Sequence, residues 1–286
     1  MTHPGRLYVV STPIGNLGDF SFRAVEVLRS VGLVLAEDTR HSRGLLDRYE
    51  IATPMASYHE HNEAKTTPRL VDRLAAGEDL ALITDAGTPL LSDPGQRLVQ
   101  AAIKAGIQVV PVPGASALLS ALVASGLDAD RFTFFGFLPR KGKERTAMLD
   151  EIVSSPHTAI LYEAPGRVAD SLLELANRAG DRPAVVAREL TKQFEELQRG
   201  TLESLKAYYT KTPPRGEVVI LIAGAPLVAS DETMLHEEAR VLRARGLSVR
   251  DVVAELTKRG APRNLAYRIA RTAEMGNGKS EMGPNV

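Results

Sequence analysis

The feature that most constrains the fold is a repeated alternation of two hydrophobic patterns along the chain. Short runs of Val, Ile and Leu alternate with stretches in which apolar residues recur every three or four positions. The first pattern is typical of strands buried on both faces of a sheet, and the second of helices that cover such a sheet. In the first part of the chain this predicts strands at 7–11, 33–36, 80–84 and 109–112, and helices at 20–30, 42–49, 64–76 and 96–105.

The second part of the chain continues the alternation with a different kind of sheet. Its predicted strands span 132–135, 159–162, 184–188, 194–200 and 218–223, and its predicted helices span 143–153, 167–179 and 202–209. The strand at 194–200 follows its predecessor too closely for a crossover helix, so these two strands should be antiparallel. The second sheet is therefore predicted to be mixed, while the first is mostly parallel.

These patterns predict an α/β fold with two α/β domains, a cleft between them and a small C-terminal helical extension. The chain of 286 residues is long enough for two domains of ordinary size. Pro and Gly punctuate the segment 111–117 and indicate the boundary between the domains. The predicted divisions are 1–113 for the first domain, 114–229 for the second, 230–275 for the helical extension and 276–286 for a mobile tail.

Composition narrows the classes of site. The chain has no Cys, which excludes disulfides, thiolate nucleophiles, iron–sulfur clusters and zinc ribbons. Lys plus Arg equals Asp plus Glu at 35 each, so global charge does not indicate a nucleic-acid partner. The N-terminus lacks a signal-peptide core and no run is apolar enough for a membrane helix, so we expect a cytoplasmic protein that does not contact a membrane.

Two loops follow predicted strands of the first domain, where an open α/β sheet binds its ligands. Residues 11–19 lack the Gly-x-Gly-x-x-Gly dinucleotide fingerprint. The loop from Thr84 to Gly95 combines small residues with two carboxylates, and those carboxylates would repel a phosphate. For Asp93 we favour N-capping of the next helix over ligand contact.

Charged and imidazole side chains follow the second predicted strand. Glu37, Asp38 and Arg40 stand where this apolar run ends, and they suit a metal site, an acid/base pair or a salt-bridged helix cap. Arg beside the carboxylates would compete with a cation, which weakens the metal hypothesis. His59 and His61 have no third matching ligand, so we expect them to line the cleft and predict no metal.

Basic residues cluster in two places. Arg140, Lys141, Lys143 and Arg145 follow a Gly-Phe-Leu-Pro segment and could contact phosphates, although a solvated loop is the alternative. Residues 233–275 hold nine Lys or Arg against five Asp or Glu, which fits either a solvated helical face or RNA contact.

Taken together, these segments resemble one family across nearly the whole chain. The segments are VVSTPIGNLGDFSFRA, AEDTRHS, TDAGTPLLSDPG, PVPGASA, FFGFLPRKGKER, YEAPGR and GEVVILIAG. They are similar to the class III, tetrapyrrole-methylase-like S-adenosylmethionine methyltransferases. Within that family they resemble the branch that methylates the ribose 2′-oxygen of a cytidine in bacterial small-subunit (16S) ribosomal RNA. The loop TDAGTPLLSDPG departs from the shorter Gly-Asp-Pro loop of the tetrapyrrole enzymes.

The resemblance implies where the methyl donor, S-adenosylmethionine, and the catalytic groups lie. It assigns the donor to the cleft, in contact with Pro13, Asp85, Ala86, Gly87, Thr88, Leu91, Ser116, Tyr162 and Leu190. A general base would help a ribose hydroxyl to react, and we assign Glu37 or Asp38 as that base or its orienter. Arg40 would hold a neighbouring phosphate, with His59 and His61 as the alternative catalytic groups.

The resemblance also implies the partners. Small-subunit ribosomal RNA, free or within the subunit, would be the substrate of a homodimer. The residues assigned to RNA phosphates are Arg140, Lys141, Lys143, Arg145, Arg263 and Arg268. Two alternatives stay open, a tetrapyrrole C-methyltransferase of the same fold and a non-catalytic ribosomal RNA-binding module.

Overall fold

The computed structural model describes residues 3–226, 229–259 and 261–273, so the predicted tail at 276–286 lies outside the described residues. The first sheet contains five strands: β1 (Arg6–Val10), β2 (Leu33–Ala36), β3 (Met55–Ser57), β4 (Leu80–Leu82) and β5 (Gln108–Val112). Their order is β3-β2-β4-β1-β5, and every pairing is parallel. The prediction of a parallel first sheet is confirmed.

Four helices cover this sheet: α1 (Phe22–Ser30), α2 (Thr39–Arg48), α3 (Glu63–Ala75) and α4 (Gln96–Lys104). Apolar residues of the sheet and helices form two buried clusters, one around Leu28 and Val34 and one around Leu35 and Leu74. Because the strands are parallel, the loops after β1, β2, β4 and β5 all emerge at one edge of the sheet. That edge holds the loops that the sequence singled out.

The second sheet is mixed, as predicted. Its strands are β6 (Phe132–Phe137), β7 (Thr158–Glu163), β8 (Pro183–Arg188), β9 (Glu196–Thr201) and β10 (Val218–Ile222), in the order β6-β7-β10-β8-β9. β6 and β7 are parallel, whereas β10 is antiparallel to both of its neighbours. β8 and β9 are antiparallel, which confirms the expectation drawn from their short connection.

Helices cover both faces of the second sheet. They are α5 (Ala117–Ser125), α6 (Lys143–Ser154), α7 (Val168–Ala179) and α8 (Leu202–Lys211). The helix α5 packs with Ile160 and Leu221 on one face, and α7 and α8 pack with Leu161 and Ile220 on the other. The sequence patterns did not predict α5 or the three-residue strand β3.

In the part of the chain that the structure describes, three helices follow the second sheet: α9 (Ala229–Ala244), α10 (Val249–Lys258) and α11 (Arg263–Thr272). They share a buried cluster of their own that includes Leu235, Leu256 and Ile269. The Ser248 hydroxyl accepts a hydrogen bond from the backbone of Asp251 and caps α10. Among the described residues, no helix has the length and apolar character needed to cross a membrane.

Candidate functional site

A cavity of about 400 Å³ lies between the two domains. Its walls include the loop after β4, the start of α5 and the carboxyl end of β7. Residues 85–88, Leu91, Ser116 and Tyr162, all assigned to the methyl donor by resemblance, line it together. Sites for cofactor-sized ligands have this volume and commonly lie between domains.

Backbone pairing positions the loop after β4. Thr12 and Gly87 exchange two backbone hydrogen bonds, of 2.8 and 3.1 Å, in an isolated antiparallel bridge. Gly87 has φ of +87°, a conformation that costs a residue with a Cβ free energy. A Cβ there would also lie 3.3 Å from Cγ2 of Ile14. This position therefore favours Gly on two separate grounds.

Two hydroxyl groups near this bridge differ in their hydrogen bonding. The Thr88 hydroxyl lies 3.0 Å from the Ser11 hydroxyl and donates to the carbonyl of Ala115. The Ser116 hydroxyl is buried and has no hydrogen-bond partner within the described part of the chain. Because an unsatisfied buried hydroxyl costs free energy, Ser116 on the cavity wall is suited to bind a polar ligand group.

The second domain supplies the aromatic wall of the cavity. The ring of Tyr162 packs edge-on against Phe134 and tilted against Phe137, with centroids 4.9 and 5.4 Å away. Burial raises the pKa of Tyr162, so its phenol stays protonated at neutral pH. Phe137 and residues 216–219 also line the cavity. These residues stand in the segments FFGFLPRKGKER and GEVVILIAG, so the motifs carried the signal that would have found them.

Pro13 and Leu190, also assigned to the donor, are not among the residues that line this cavity. Leu190 is 7% exposed and packs in the same buried cluster as Ile14, which does line the cavity. The loops that carry them meet where the backbone N–H of Asn16 donates to the hydroxyl of Thr191 at 3.1 Å. Leu190 therefore packs beside the cavity wall, and Pro13 directly precedes the wall residue Ile14 in the chain.

Three carboxylates lie along the domain 1 side of the cavity: Glu37 after β2, and Asp85 and Asp93 in the loop after β4. Burial, followed by repulsion from Asp85, raises the pKa of Glu37. Burial also raises the pKa of Asp93 to about 6, opposed by a hydrogen bond from Thr84. Both groups are stronger bases than ordinary surface carboxylates.

The expectation that Asp93 caps the next helix is wrong. α4 begins at Gln96, its N-cap residue is Gly95, and within the described residues no side-chain hydrogen bond caps this helix. Asp93 lies instead on the cavity wall, in a position that faces a ligand.

Asp38 and Arg40 form a local unit at the start of α2. The Asp38 carboxylate caps the helix by accepting from the backbone N–H of Arg40, and it also accepts two bonds from the Arg40 guanidinium. These bonds lower the pKa of Asp38 to about 2. Asp38 is therefore poorly suited to accept a proton, and the paired donors of Arg40 that were assigned to a phosphate are engaged by Asp38.

His59 and His61 lie beside one another with ring centroids 6.0 Å apart. The Nε2 atom of His59 lies 3.3 Å from the amide nitrogen of Asn62. Neither imidazole is among the residues lining the cavity. No cluster of three or more His, Asp or Glu suited to a metal ion occurs in the described ranges.

The basic segment after β6 divides into exposed and buried residues. Arg140, Lys141 and Lys143 are exposed, and within the described ranges none of them makes an ion pair. Arg145 differs, because its side chain is 9% exposed and its guanidinium bonds Glu174, Ser171 and the Pro139 carbonyl. The assignment of Arg145 to RNA phosphates is therefore corrected to a structural role.

The two basic residues assigned in the C-terminal helices are both exposed. Arg263 begins α11, and Arg268 is paired with Glu232 of α9 at 2.8 Å. These helices contact the second domain through Arg131, just before β6, whose guanidinium donates to the Thr257 carbonyl. The exposed basic residues 140–143 follow the other end of β6.

Comparison with known proteins identifies the family. The family model described as Tetrapyrrole (Corrin/Porphyrin) Methylases matches residues 6–206. The chain belongs to this family. The matched residues include the parts of both domains that line the cavity up to Pro165.

Curated members of this family are similar over nearly their whole lengths. Ribosomal RNA small subunit methyltransferase I of Pseudomonas aeruginosa is 50% identical over 279 residues, covering 93% of this chain and 96% of that protein. The protein of the same name from Synechocystis sp. is 47% identical over 277 residues, covering 94% and 99%. The chain belongs to this rRNA methyltransferase branch of the tetrapyrrole methylases.

Solved structures show the same fold at lower identity. Diphthine synthase aligns with a TM-score of 0.60 and 16% identity over 77% of this chain and 90% of that one. Uroporphyrin-III C-methyl transferase from Thermus thermophilus, complexed with S-adenosylhomocysteine, aligns with a TM-score of 0.55 and 20% identity over 77% and 97%. At these identities the likeness concerns the fold of the tetrapyrrole methylases.

Proposed function

We propose that this protein transfers a methyl group from S-adenosylmethionine to the ribose 2′-oxygen of a cytidine in the 16S RNA of the small ribosomal subunit. The observation that carries the proposal is the identity of 47–50% over more than nine-tenths of the chain to relatives named ribosomal RNA small subunit methyltransferase I. The cavity geometry supports a methyl donor of this kind. The cytidine and the 2′-oxygen rest on the motif resemblance.

The chain's own groups in the cavity fit this donor. The unpartnered Ser116 hydroxyl can hydrogen-bond a carboxylate, amine or ribose, and the cavity volume of about 400 Å³ suits a nucleoside with an amino-acid tail. When bound, S-adenosylmethionine supplies an electrophilic methyl group on a positively charged sulfonium. Carboxylates of Asp85, Glu37 and Asp93 give the cavity the negative charge that stabilises a cation.

Catalysis in this site depends on position and on a proton acceptor. Two walls from different domains fix the donor, so the acceptor oxygen can be held in line with the methyl group. Glu37 is placed to act on the acceptor hydroxyl, as base or as orienter of a base, because it faces the cavity with a raised pKa. Asp38 and Arg40 support this edge through the start of α2.

RNA contact is proposed for the exposed basic residues. Arg140, Lys141 and Lys143 follow Phe137, which lines the cavity, so phosphates bound there would lie near the reacting ribose. Arg263 and Arg268 would extend contact along the subunit from the C-terminal helices. We place the reaction in the cytoplasm, on a homodimer, with the assembled subunit as substrate.

The acceptor class is tested with labelled donor and two acceptors. Small subunits purified from cells that lack this protein, and a reduced uroporphyrin as the tetrapyrrole, are each incubated with the protein and methyl-labelled S-adenosylmethionine. The proposal predicts label in RNA and none in the tetrapyrrole. Label in the tetrapyrrole alone would favour the porphyrin alternative, and failure to bind the donor in calorimetry would favour a non-catalytic RNA-binding module.

A further inference from the structure

The cavity of about 400 Å³ proposed to bind the methyl donor is called the donor cavity here. A second cavity, of about 530 Å³, adjoins it. Its other walls are polar and include Gln96 and Gln100 of α4 and the ion pair between Arg97 and Glu63. The two cavities share Glu37, Ser92 and Asp93. A group that enters from the second cavity therefore meets the donor cavity at these three residues.

Unusual backbone conformations hold this shared wall. Ser92 has φ of +71° and Leu90 has φ of +75°, a region that residues other than Gly rarely adopt. Such conformations cost about 1–3 kcal/mol each and occur most often at functional sites. The result here is that Asp93 lies on the wall while α4 begins without a side-chain cap.

The surroundings of Asp93 are mostly acidic. Glu37, just after β2, and Asp85, in the loop after β4, interact with it electrostatically, and so does Tyr162 of β7. In the second cavity Glu60 and the paired Glu63 and Arg97 add charge. The buried Thr84 contacts both Glu37 and Asp93. Its hydroxyl lies 3.4 Å from Oε2 of Glu37, to which it donates, and it also forms a hydrogen bond with Asp93.

We propose that the second cavity receives the acceptor nucleotide and that Asp93 accepts the proton of its 2′-hydroxyl, with Glu37 and Thr84 as positioning residues. The proposal rests on the methyl transfer proposed above and names its acceptor site and base. In the step, the 2′-oxygen forms a bond to the methyl carbon and the carbon–sulfur bond breaks, with its electron pair going to sulfur. The hydroxyl proton passes to the Asp93 carboxylate. The sulfonium and the carboxylate are thereby neutralised together, and charge balances.

Asp93 fits this role better than the other carboxylates at the edge. Asp38 is engaged by Arg40 and is a weak base, with a pKa of about 2. The Thr84 hydroxyl contacts both Glu37 and Asp93, which fits a positioning role for Thr84 and leaves neither carboxylate excluded by this contact. The pKa of Asp93 is raised to about 6, which keeps it ionised at neutral pH while making it a stronger base than a surface carboxylate.

The test compares Asp93→Asn with Glu37→Gln and with Asp47→Asn, a control at an exposed position on α2. Transfer to small subunits is measured from pH 5 to 8 as kcat and as kcat/KM for the donor, whose pH profile reports the donor-free enzyme. Donor binding by calorimetry and thermal unfolding show that each variant is folded. Asp93→Glu keeps a carboxylate at the wall if Asp93→Asn does not fold.

For the wild type we expect kcat/KM to fall tenfold per pH unit below about 6, because protonated Asp93 cannot accept the proton. Asp93→Asn should lower kcat at least 100-fold and abolish this acid limb while still binding the donor. Glu37→Gln should keep the limb but move it to lower pH, since it removes a neighbouring negative charge. Asp93→Glu should keep the limb with reduced kcat, and Asp47→Asn should match the wild type.

Three results would overturn the inference. The first is that Asp93→Asn retains kcat within threefold of the wild type, and the second is that Asp93→Asn retains the acid limb. The third is that Glu37→Gln abolishes both the transfer activity and the acid limb, which would make Glu37 the base. A wild-type protein that methylates no subunit at any pH contradicts the proposed function itself, and this inference falls with it.

Discussion

At the scale of single residues, the donor cavity depends on a few positions with special backbone or burial. Gly87 closes the bridge to Thr12 in a left-handed conformation, and Ser116 keeps a buried hydroxyl without a partner in the described chain. Arg145 anchors the start of α6 to α7 through Glu174 and Ser171. Each of these residues acts through a contact that can be removed alone.

Replacing Gly87 by Ala should weaken donor binding. The new Cβ strains the backbone by about 1–2 kcal/mol and approaches Ile14, so the loop should shift away from the cavity. A cost of this size corresponds to roughly a tenfold higher Kd for S-adenosylmethionine in calorimetry. Gly44→Ala on α2 is the control, because nothing lies within 4 Å of its Cβ position. Equal Kd values for the two variants would contradict this role of the loop.

Replacing Arg145 by Ala should destabilise the fold. The change removes the guanidinium that bonds Ser171 and leaves Glu174 only its longer, 3.9 Å pair with Arg178. Losing such a partly buried pair costs about 2–4 kcal/mol in the free energy of unfolding. Urea denaturation measures it. Arg140→Ala, at an exposed position, should change the free energy by less than about 0.5 kcal/mol. Equal changes in the free energy of unfolding for the two substitutions would contradict the structural role assigned to Arg145.

At the scale of elements, strands and helices with a clear period could be predicted from the sequence. The antiparallel pair β8 and β9 followed from the short connection between them. The helix α5 was missed because its own residues are almost all Ala, Leu and Val, with apolar side chains on every face. It therefore lacks the alternation of apolar and polar faces that marks a surface helix. β3 was missed because Met-Ala-Ser is short and lacks β-branched residues.

The sequence predicted the site residues that lie in motifs, but not those whose role depends on contacts between distant segments. Motifs assigned residues 85–88 and Ser116 to the cavity, and the structure brings them together. They did not show the burial of Arg145, because its partners Ser171 and Glu174 lie on the next helix. The position of Asp93 depends on the backbone turn at Leu90 and Ser92, which the local residue types do not reveal.

The exposed basic segment after β6 should contribute electrostatic contact with RNA. Replacing Arg140, Lys141 and Lys143 together by Ala should weaken binding to small subunits and reduce the slope of log affinity against log salt by about 2–3. Filter binding at several salt concentrations measures the slope. Lys104→Ala, at an exposed position in the last turn of α4, is the control. An unchanged slope in the triple variant would show that this segment does not contact phosphates.

At the scale of the whole molecule, the cavity between the domains contains a carboxylate whose ionised form lowers the stability of the fold. Asp93 has a folded-state pKa of about 6 against an ordinary value of 3.8, so the folded state binds its proton more tightly than the unfolded state. Its contribution therefore destabilises the fold above pH 6 and is relieved as the pH falls from about 6 to 4. The groups that catalysis uses are thus the ones that folding disfavours.

Asp93→Asn should accordingly be more stable than the wild type at pH 7. The difference should be about 1 kcal/mol once partial solvent exposure is allowed for, and it should vanish at about pH 3, where the wild-type carboxyl is mostly protonated in both states. Urea denaturation at both pH values measures it, with Asp47→Asn as the control. A wild type that is more stable than Asp93→Asn at pH 7 would contradict the assigned environment of Asp93.

The most direct test of the central claim is to identify the atom that receives the methyl group. Small subunits from cells lacking this protein are incubated with it and methyl-labelled S-adenosylmethionine, and their RNA is digested to nucleosides for mass spectrometry. The account predicts label in 2′-O-methylcytidine of 16S RNA and in no other nucleoside. Label on a base, or no transfer to either the subunit or naked 16S RNA, would contradict it.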